Sequence, residues 1–182
     1  MFKPSQPRFT LTVVMAAFAA AGAVLSAPAH AAQASATASG TVVAPIAIAV
    51  NTNLAFGSFA AGAAGNVTVS TSGARTTTGP VLIGAGSSAA RFDISGQPNA
   101  TYSIVHTGTT VLTNTTGGGG ETMALSKFSD LTGANATSGS VSAGLLDGTG
   151  AQSLYVGGTL SVGAGQVPGL YTGNVIATVE YN

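Results

Sequence analysis

The chain of 182 residues contains no cysteine and no tryptophan, and Lys, Arg, Asp and Glu together make up only 5% of it, against roughly a quarter in an average soluble protein. Each shortage excludes something. Without cysteine there is no disulfide and no lipid-modified residue at a cleavage point, so stability rests on packing and ladder hydrogen bonds. Without a basic patch nothing neutralises a phosphate backbone, which excludes nucleic-acid binding. There is no charge run either, and so no acidic or basic tail. Lys, Glu, Arg and Gln, the usual surface residues of helices, are scarce, while 26 glycines, abundant Thr and Val and a hydrophobic fraction of 45% remain. This composition suits sheets, because Gly and the β-branched residues weaken helices.

The first 31 residues read as a secretory signal peptide. Met1 to Arg8 carries Lys3 and Arg8, Phe9 to Leu25 is apolar apart from two Thr and a Gly, and Ala29-His30-Ala31 supplies the small-x-small site of signal peptidase. The apolar run is at the short limit for a membrane span, and Pro28 follows it. No twin arginine precedes it, so the general secretory route is expected. Cleavage after Ala31 leaves residues 32–182 as one mature domain of about 150 residues, enough to bury a core unaided, with no transmembrane segment. Its cations are Arg75, Arg91 and Lys127 and its anions Asp93, Glu121, Asp130, Asp147 and Glu180. That slight negative balance steers no partner.

Period two recurs along the mature chain. From Ala34 to Val50 every even position is apolar or Gly, and the odd positions up to Thr41 are polar, which predicts an N-terminal alternating strand at 32–50. Pro45 lacks an N–H, so this segment is either two strands with a break or one edge strand whose proline faces away from the ladder. Val67 and Val69, Phe92 and Ile94, and Tyr102 and Ile104 mark shorter strands. Leu154, Val156, Leu160 and Val162 share one face, with Gly157-Gly158 expected to mark a bulge or bend. Val175, Ala177, Val179 and Tyr181 alternate with Asn174, Ile176, Thr178 and Glu180 up to the chain end. Glu121 to Leu131 fits either period and is taken as strand or loop. With turn signals such as Thr78-Gly79-Pro80, Gly96-Gln97-Pro98 and Pro168-Gly169 between them, these segments predict an all-β, antiparallel β-sandwich.

Little in the mature chain points to reaction chemistry. His106 is its single histidine, whereas a metal site needs three or four ligands and a hydrolytic triad needs a base oriented beside a nucleophile. Thr116 to Glu121 resembles a phosphate loop superficially, but Glu121 stands where the lysine belongs, so it reads as a flexible turn. Asp130, Asp147 and Glu121 lack calcium-loop spacing and read as solvated surface. Sequons at Asn66, Asn99, Asn114 and Asn135 indicate surface loops or strand edges. No catalytic, cofactor-binding or metal-ligating residue is assigned, and an enzyme is not expected.

The chain end carries the most information. Gly169 is the fourteenth residue from the C-terminus and Tyr181 the penultimate one, with the alternating strand between them. This resembles the terminal strand of chaperone-usher pilus subunits. In that family this strand pairs with a periplasmic chaperone, and the N-terminal segment of the next subunit later fills the same open groove. Leu54-Ala55-Phe56-Gly57, Phe92-Asp93-Ile94-Ser95-Gly96, Val156-Gly157-Gly158-Thr159-Leu160 and Gly169-Leu170-Tyr171-Thr172-Gly173, ending in Val179-Glu180-Tyr181-Asn182, extend the likeness. Together they resemble an uncharacterised family of secreted bacterial proteins, a domain of unknown function akin to spore coat protein U and pilin-like adhesin domains.

The resemblance implies an immunoglobulin-like, pilin-like sandwich that is exported through the periplasm to the cell surface or medium, in a structural or adhesive role. Its pairing strand would be Gly169, Val175, Ala177, Val179 and Tyr181, and its donor Ala34, Ala36, Ala38 and Val42. Copies of itself or other pilus subunits, a periplasmic chaperone and an outer-membrane usher would be its partners. Two departures stand out: there is no disulfide, and the donor presents mostly alanine. A buried large aliphatic side chain contributes about 1.5–3 kcal/mol, whereas alanine offers little more than one methyl at about 0.8 kcal/mol. The alternative reading is a self-completed secreted module that binds carbohydrate or protein and does not polymerise.

Overall fold

The computed structural model describes residues 31–182. The signal peptide expected at 1–31 therefore lies, apart from its last residue, outside the described residues. Residues 31–40 carry no strand and are exposed. The unit Thr41–Asn182 holds β1 (Ala47–Thr52), β2 (Ala55–Ala60), β3 (Gly65–Val69), β4 (Arg75–Thr78), β5 (Val81–Ser88), β6 (Ala90–Ser95), β7 (Thr101–Gly108), β8 (Val111–Asn114), β9 (Thr122–Asp130), β10 (Ala143–Leu145), β11 (Ala151–Val162), β12 (Tyr171–Thr172) and β13 (Val175–Tyr181). No helix occurs among the described residues, as the scarcity of helix-surface residues leads one to expect.

Every strand pairing is antiparallel, and β11 is the axis of the largest sheet. On one flank it pairs with β9, which continues through β8 to β12. The other flank is shared by two strands laid end to end. There β6 takes Ala151–Val156, and β1 lies beyond it; β3 takes Gly158–Val162, and β4 lies beyond it. Strands β10, β7 and β13 form a second sheet, and β2 with β5 a third.

The even residues of β11 explain its central place. Leu154, Val156, Leu160 and Val162 are all buried on one face. The first two join Phe92, Ile94, Tyr102, Ile104 and Val179 in one apolar cluster shared with β6, β7 and β13. The last two join Phe56, Val67, Val69, Met123 and Leu125 in a second.

Gly157-Gly158 is not the bulge that the sequence suggests. The ladder to β9 runs through both residues without a register shift. Gly157 sits where the flanking strand changes from β6 to β3, and a Cβ there would strike the Phe128 ring and the Val69 carbonyl. Glycine serves close approach at this junction. The same contact settles Glu121 to Leu131, which becomes β9. Met123 and Leu125 fill the second cluster, while Phe128 turns to the opposite face to cover Gly157.

The strand expected at 32–50 is shorter than its pattern. Residues 31–46 carry no strand, and β1 begins at Ala47, two residues after Pro45. Alternation alone does not make a strand. Ile48 pairs with Ile94 and packs on the first cluster, whereas Ala34, Ala36 and Ala38 bury too little surface to offset backbone ordering.

Two of the acids expected on solvated surface also organise turns, Asp147 while exposed and Asp130 while half-buried. Asp147 accepts from the Thr149 hydroxyl and from the amides of Thr149 and Ala151. Asp130 accepts from the Thr71 hydroxyl and the amides of Thr132, Gly133 and Ala134. Burial opposes ionisation of Asp130, but these donors outweigh it and hold its carboxyl below the usual carboxylate value.

Tyr102 is fully buried and its hydroxyl has no hydrogen-bond partner among the described residues. Burial pushes its pKa up. An unpaired buried hydroxyl costs desolvation with no return, so Tyr102→Phe is expected to leave stability unchanged or raise it by up to about 1 kcal/mol. Thermal unfolding followed by circular dichroism reads this as an equal or higher Tm. A clear drop would mean that the hydroxyl has a partner in solution.

Candidate strand-pairing groove

A groove of about 1060 Å³ opens beside the second apolar cluster. Leu112 of β8, Met123 and Leu125 of β9 and Leu160 of β11 line it, as do Leu54, Phe56 and Phe59 at and within β2. The chain from Gln166 to Val175, including Tyr171, contributes a further wall. Strand β2 pairs only with β5, and the Gln166–Asn174 stretch reaches a ladder only through β12 and β8. No ladder joins these two walls among the described residues, and apolar side chains therefore face the gap.

Polar contacts hold both walls. The Arg75 guanidinium donates to the carbonyls of Phe56 (2.8 Å), Ser58 (3.2 Å) and Gly84 (2.5 Å). It thus pins β2 and β5 around the register shift between Phe56 and Ser58, where Gly57 has φ +66°. On the other side, Tyr171 Oη donates to the Val167 carbonyl (2.7 Å) and accepts from Gln166 Nε2 (2.8 Å). Gly169 leaves room there for the Asn114 side chain, whose Oδ1 accepts from the amides of Thr116 and Gly117.

The groove runs to the start of β13, whose outer edge is unpaired among the described residues. Its inner edge pairs with β7 from Val175↔Gly108 to Tyr181↔Tyr102. At the two ends, Asn174 accepts from the Thr109 amide and the Asn182 amide donates to Thr101. In an antiparallel ladder the bonded residues alternate. The even residues 174 to 182 are therefore bonded toward β7, and Val175, Ala177, Val179 and Tyr181 aim their N–H and C=O groups outward. Their side chains meanwhile pack on the first apolar cluster. A strand laid along this edge would gain hydrogen bonds and apolar contact at the same residues.

The far end of β13 is closed by the chain itself. Tyr181 Oη accepts from the Gln97 amide (2.6 Å) and donates to the Ala44 carbonyl (2.8 Å), while the Ala44 amide donates to Gln97 Oε1 (3.3 Å). The Tyr181 ring occupies the space a Cβ on Gly96 would need.

The residues singled out from sequence fall in two places. Gly169 and Val175 line the groove. Ala177 and Tyr181 are half-buried along the open edge, and Val179 is buried. Ala34, Ala36 and Ala38 are exposed and outside any strand, and Val42 is 97% exposed. Nothing in the pattern of the chain pointed to Leu112 or Met123 as groove residues, because they converge from separate strands. Leu54-Ala55-Phe56-Gly57 and Gly169-Leu170-Tyr171-Thr172-Gly173 were the local signals. Asn114, expected in a surface loop or at a strand edge, is the buried last residue of β8 and shapes the Gly169 wall.

His106 has a partner that the sequence hid. Its Nε2 lies 3.0 Å from Ser129 Oγ and 2.9 Å from the Val141 carbonyl. Ser129 is buried and its oxygen already accepts from the Val141 amide (3.1 Å). With Nε2–H given to the Val141 carbonyl, Nε2 has no lone pair left to accept the proton of Ser129, and the trio ties β7 and β9 to the loop at Val141. No group of three or more metal-ligating His, Asp or Glu side chains occurs among the described residues.

No curated protein and no solved structure matches the chain, and no match links it to spore coat protein U or to pilins. Residues 46–181, from the start of β1 to the end of β13, match the family described as Domain of unknown function (DUF4402), and the protein belongs to that family.

Proposed function

We propose that this protein is an exported structural or adhesive subunit of the cell surface, a pilin-like domain that assembles by adding a strand from another copy. It performs no catalysis in this reading. The observation that carries it is the apolar groove running to the unpaired outer edge of β13.

Strand order supports the reading. In an immunoglobulin-like constant-type sandwich one sheet is ordered A-B-E-D and the other C-F-G. Here β1-β6-β11-β9 corresponds to the first, and β7-β13, flanked by β10, corresponds to C-F. The place of G, beside β13, is empty among the described residues. A sandwich short of one edge strand presents an apolar seam and unpaired ladder groups, and an extended segment satisfies both. The likeness to pilins and spore coat protein U extends the same reading, with a periplasmic chaperone and an outer-membrane usher as the assembly partners.

The donor is the N-terminal segment of the next copy, Ala34, Ala36, Ala38 and Val42. Its alanines contribute little each, and Val42 is the exposed anchor. Purified mature protein is expected to form multimers that resist mild denaturant, measured by size exclusion with light scattering. Deletion of Ala32–Gly40 is expected to shift them to monomer. Unchanged assembly of the deletion removes this donor, and a wild type that stays monomeric at high concentration sinks the assembly reading.

The second reading, a self-completed secreted binding module, is favoured by the closed end of β13. There Val179 is buried and Tyr181 is bonded to Ala44 and Gln97 of its own chain. A stable monomer that retains carbohydrate or protein ligands would support it.

A further inference from the structure

We infer that the polar hollow on the outer face of β6 and β11 is a binding site for a neutral saccharide, built around Arg91 and Tyr155. This names a site and a ligand class for the adhesive side of the reading above, on which it rests, and strand addition does not enter it.

Arg91 and Asp93 of β6 pair with Tyr155 and Ser153 of β11. Their neighbours Phe92, Ile94 and Leu154 are buried in the first apolar cluster, so by alternation these four point to the opposite face of the sheet. A hollow of about 400 Å³ opens there, between Leu131-Thr132 after β9 and Asp147 before β11. Its size falls within the range of about 300–1,000 Å³ usual for small-molecule sites. Three of the eight charged residues in 32–182 line it, whereas none lines the apolar groove.

Asp93 is the fixed centre. It accepts from Asn51 Nδ2 (2.8 Å), Ser153 Oγ (3.1 Å) and Arg91 Nε (2.8 Å). These bonds, that from Asn51 foremost, hold its carboxyl below the usual carboxylate value. The Arg91 guanidinium is thereby kept over the Tyr155 ring, 5.9 Å from its centroid. Around this frame several groups have no hydrogen-bond partner among the described residues. They are the two terminal nitrogens of Arg91, the hydroxyls of Tyr155 and Thr132, Gln152 Oε1 and Asp147 Oδ2. Donors and acceptors thus stand side by side in one small hollow. A ligand whose adjacent groups each donate and accept satisfies both kinds, which describes the hydroxyls of a sugar ring. Two carboxylates against a single guanidinium disfavour an anion.

Saturation-transfer NMR on the purified mature protein tests this. Galactose, mannose, N-acetylglucosamine, lactose and cellobiose are the neutral probes, and N-acetylneuraminic acid is the anionic one. At least one neutral probe is expected to bind, in monomer and multimer alike, because the hollow and the apolar groove lie on opposite faces of the large sheet. Tyr155→Phe, which removes one hydroxyl, is expected to weaken that binding several-fold, and Arg91→Gln about tenfold. Both positions are half-buried, and thermal melts check that each variant is folded.

Absence of binding by every neutral probe overturns the site, and so does binding that the folded variants retain at wild-type strength. Binding of N-acetylneuraminic acid alone overturns the neutral class. A wild type that stays monomeric yet binds sugar through Arg91 and Tyr155 sinks assembly and leaves this site standing. Multimers that bind no sugar do the reverse.

Discussion

Ala177→Pro is expected to abolish multimers while the monomer remains folded. The N–H of Ala177 points away from β7, so proline removes no bond of the existing ladder. Proline is accepted on edge strands where the missing N–H faces outward, and the extended backbone of Ile176 before it is the conformation that a following proline favours. What disappears is the outward donor in the middle of the open edge, together with space for a neighbouring strand. Thr178→Pro is the control. Its N–H is bonded toward β7, so proline there breaks the internal ladder and lowers monomer stability. Size exclusion with light scattering and thermal melts of both variants separate the effects. Multimers surviving in Ala177→Pro, with the monomer Tm near wild type, would show that β13 is not the assembly edge.

Gly157→Ala is expected to cost about 3 kcal/mol or more, the top of the range for overpacking. The added Cβ would meet the Phe128 ring, the Val69 carbonyl oxygen at 2.5 Å and the Ser70 carbonyl carbon at 2.9 Å. Two of these are backbone atoms where β3 ends against β11, and they have no rotamer through which to move aside. For a domain of this size the loss corresponds to a fall in Tm of roughly 6–12 °C. Gly148→Ala is the matched control, since nothing lies within 4 Å of its Cβ position. If Gly157→Ala melts with wild type, the close approach of β3 and β9 at the junction is wrong.

These two positions also show how much of the molecule was legible in the chain. The alternation at Val175–Tyr181 and Leu154–Val162 identifies strands and their buried faces, because side-chain direction in a strand depends only on local geometry. Glycine at 157 is equally visible, but its reason is not. That reason lies in β6 and β3 sharing one flank of β11, a pairing between segments far apart in the chain, such as Ser95 with Ala151 and Val69 with Gly158. The same limit applies to the groove. Val175 and Gly169 could be picked out near the chain end, whereas Leu112, Met123 and Tyr171 become neighbours only when β8, β9 and β12 pair. The Ala34–Ala38 pattern shows the reverse. Its alternation is as regular as any in the chain, yet without large side chains to bury it forms no strand.

Composition and periodicity by themselves determined a chain without cysteine that is all-β, with no helix, among the described residues and has a regular last strand, because backbone preference and side-chain alternation act over a few residues. Tertiary structure alone decided which edge is left unpaired, where the apolar groove lies and how Tyr181 closes its far end on Ala44 and Gln97. Those features depend on which strands become neighbours, and that is set by burial summed over the whole chain.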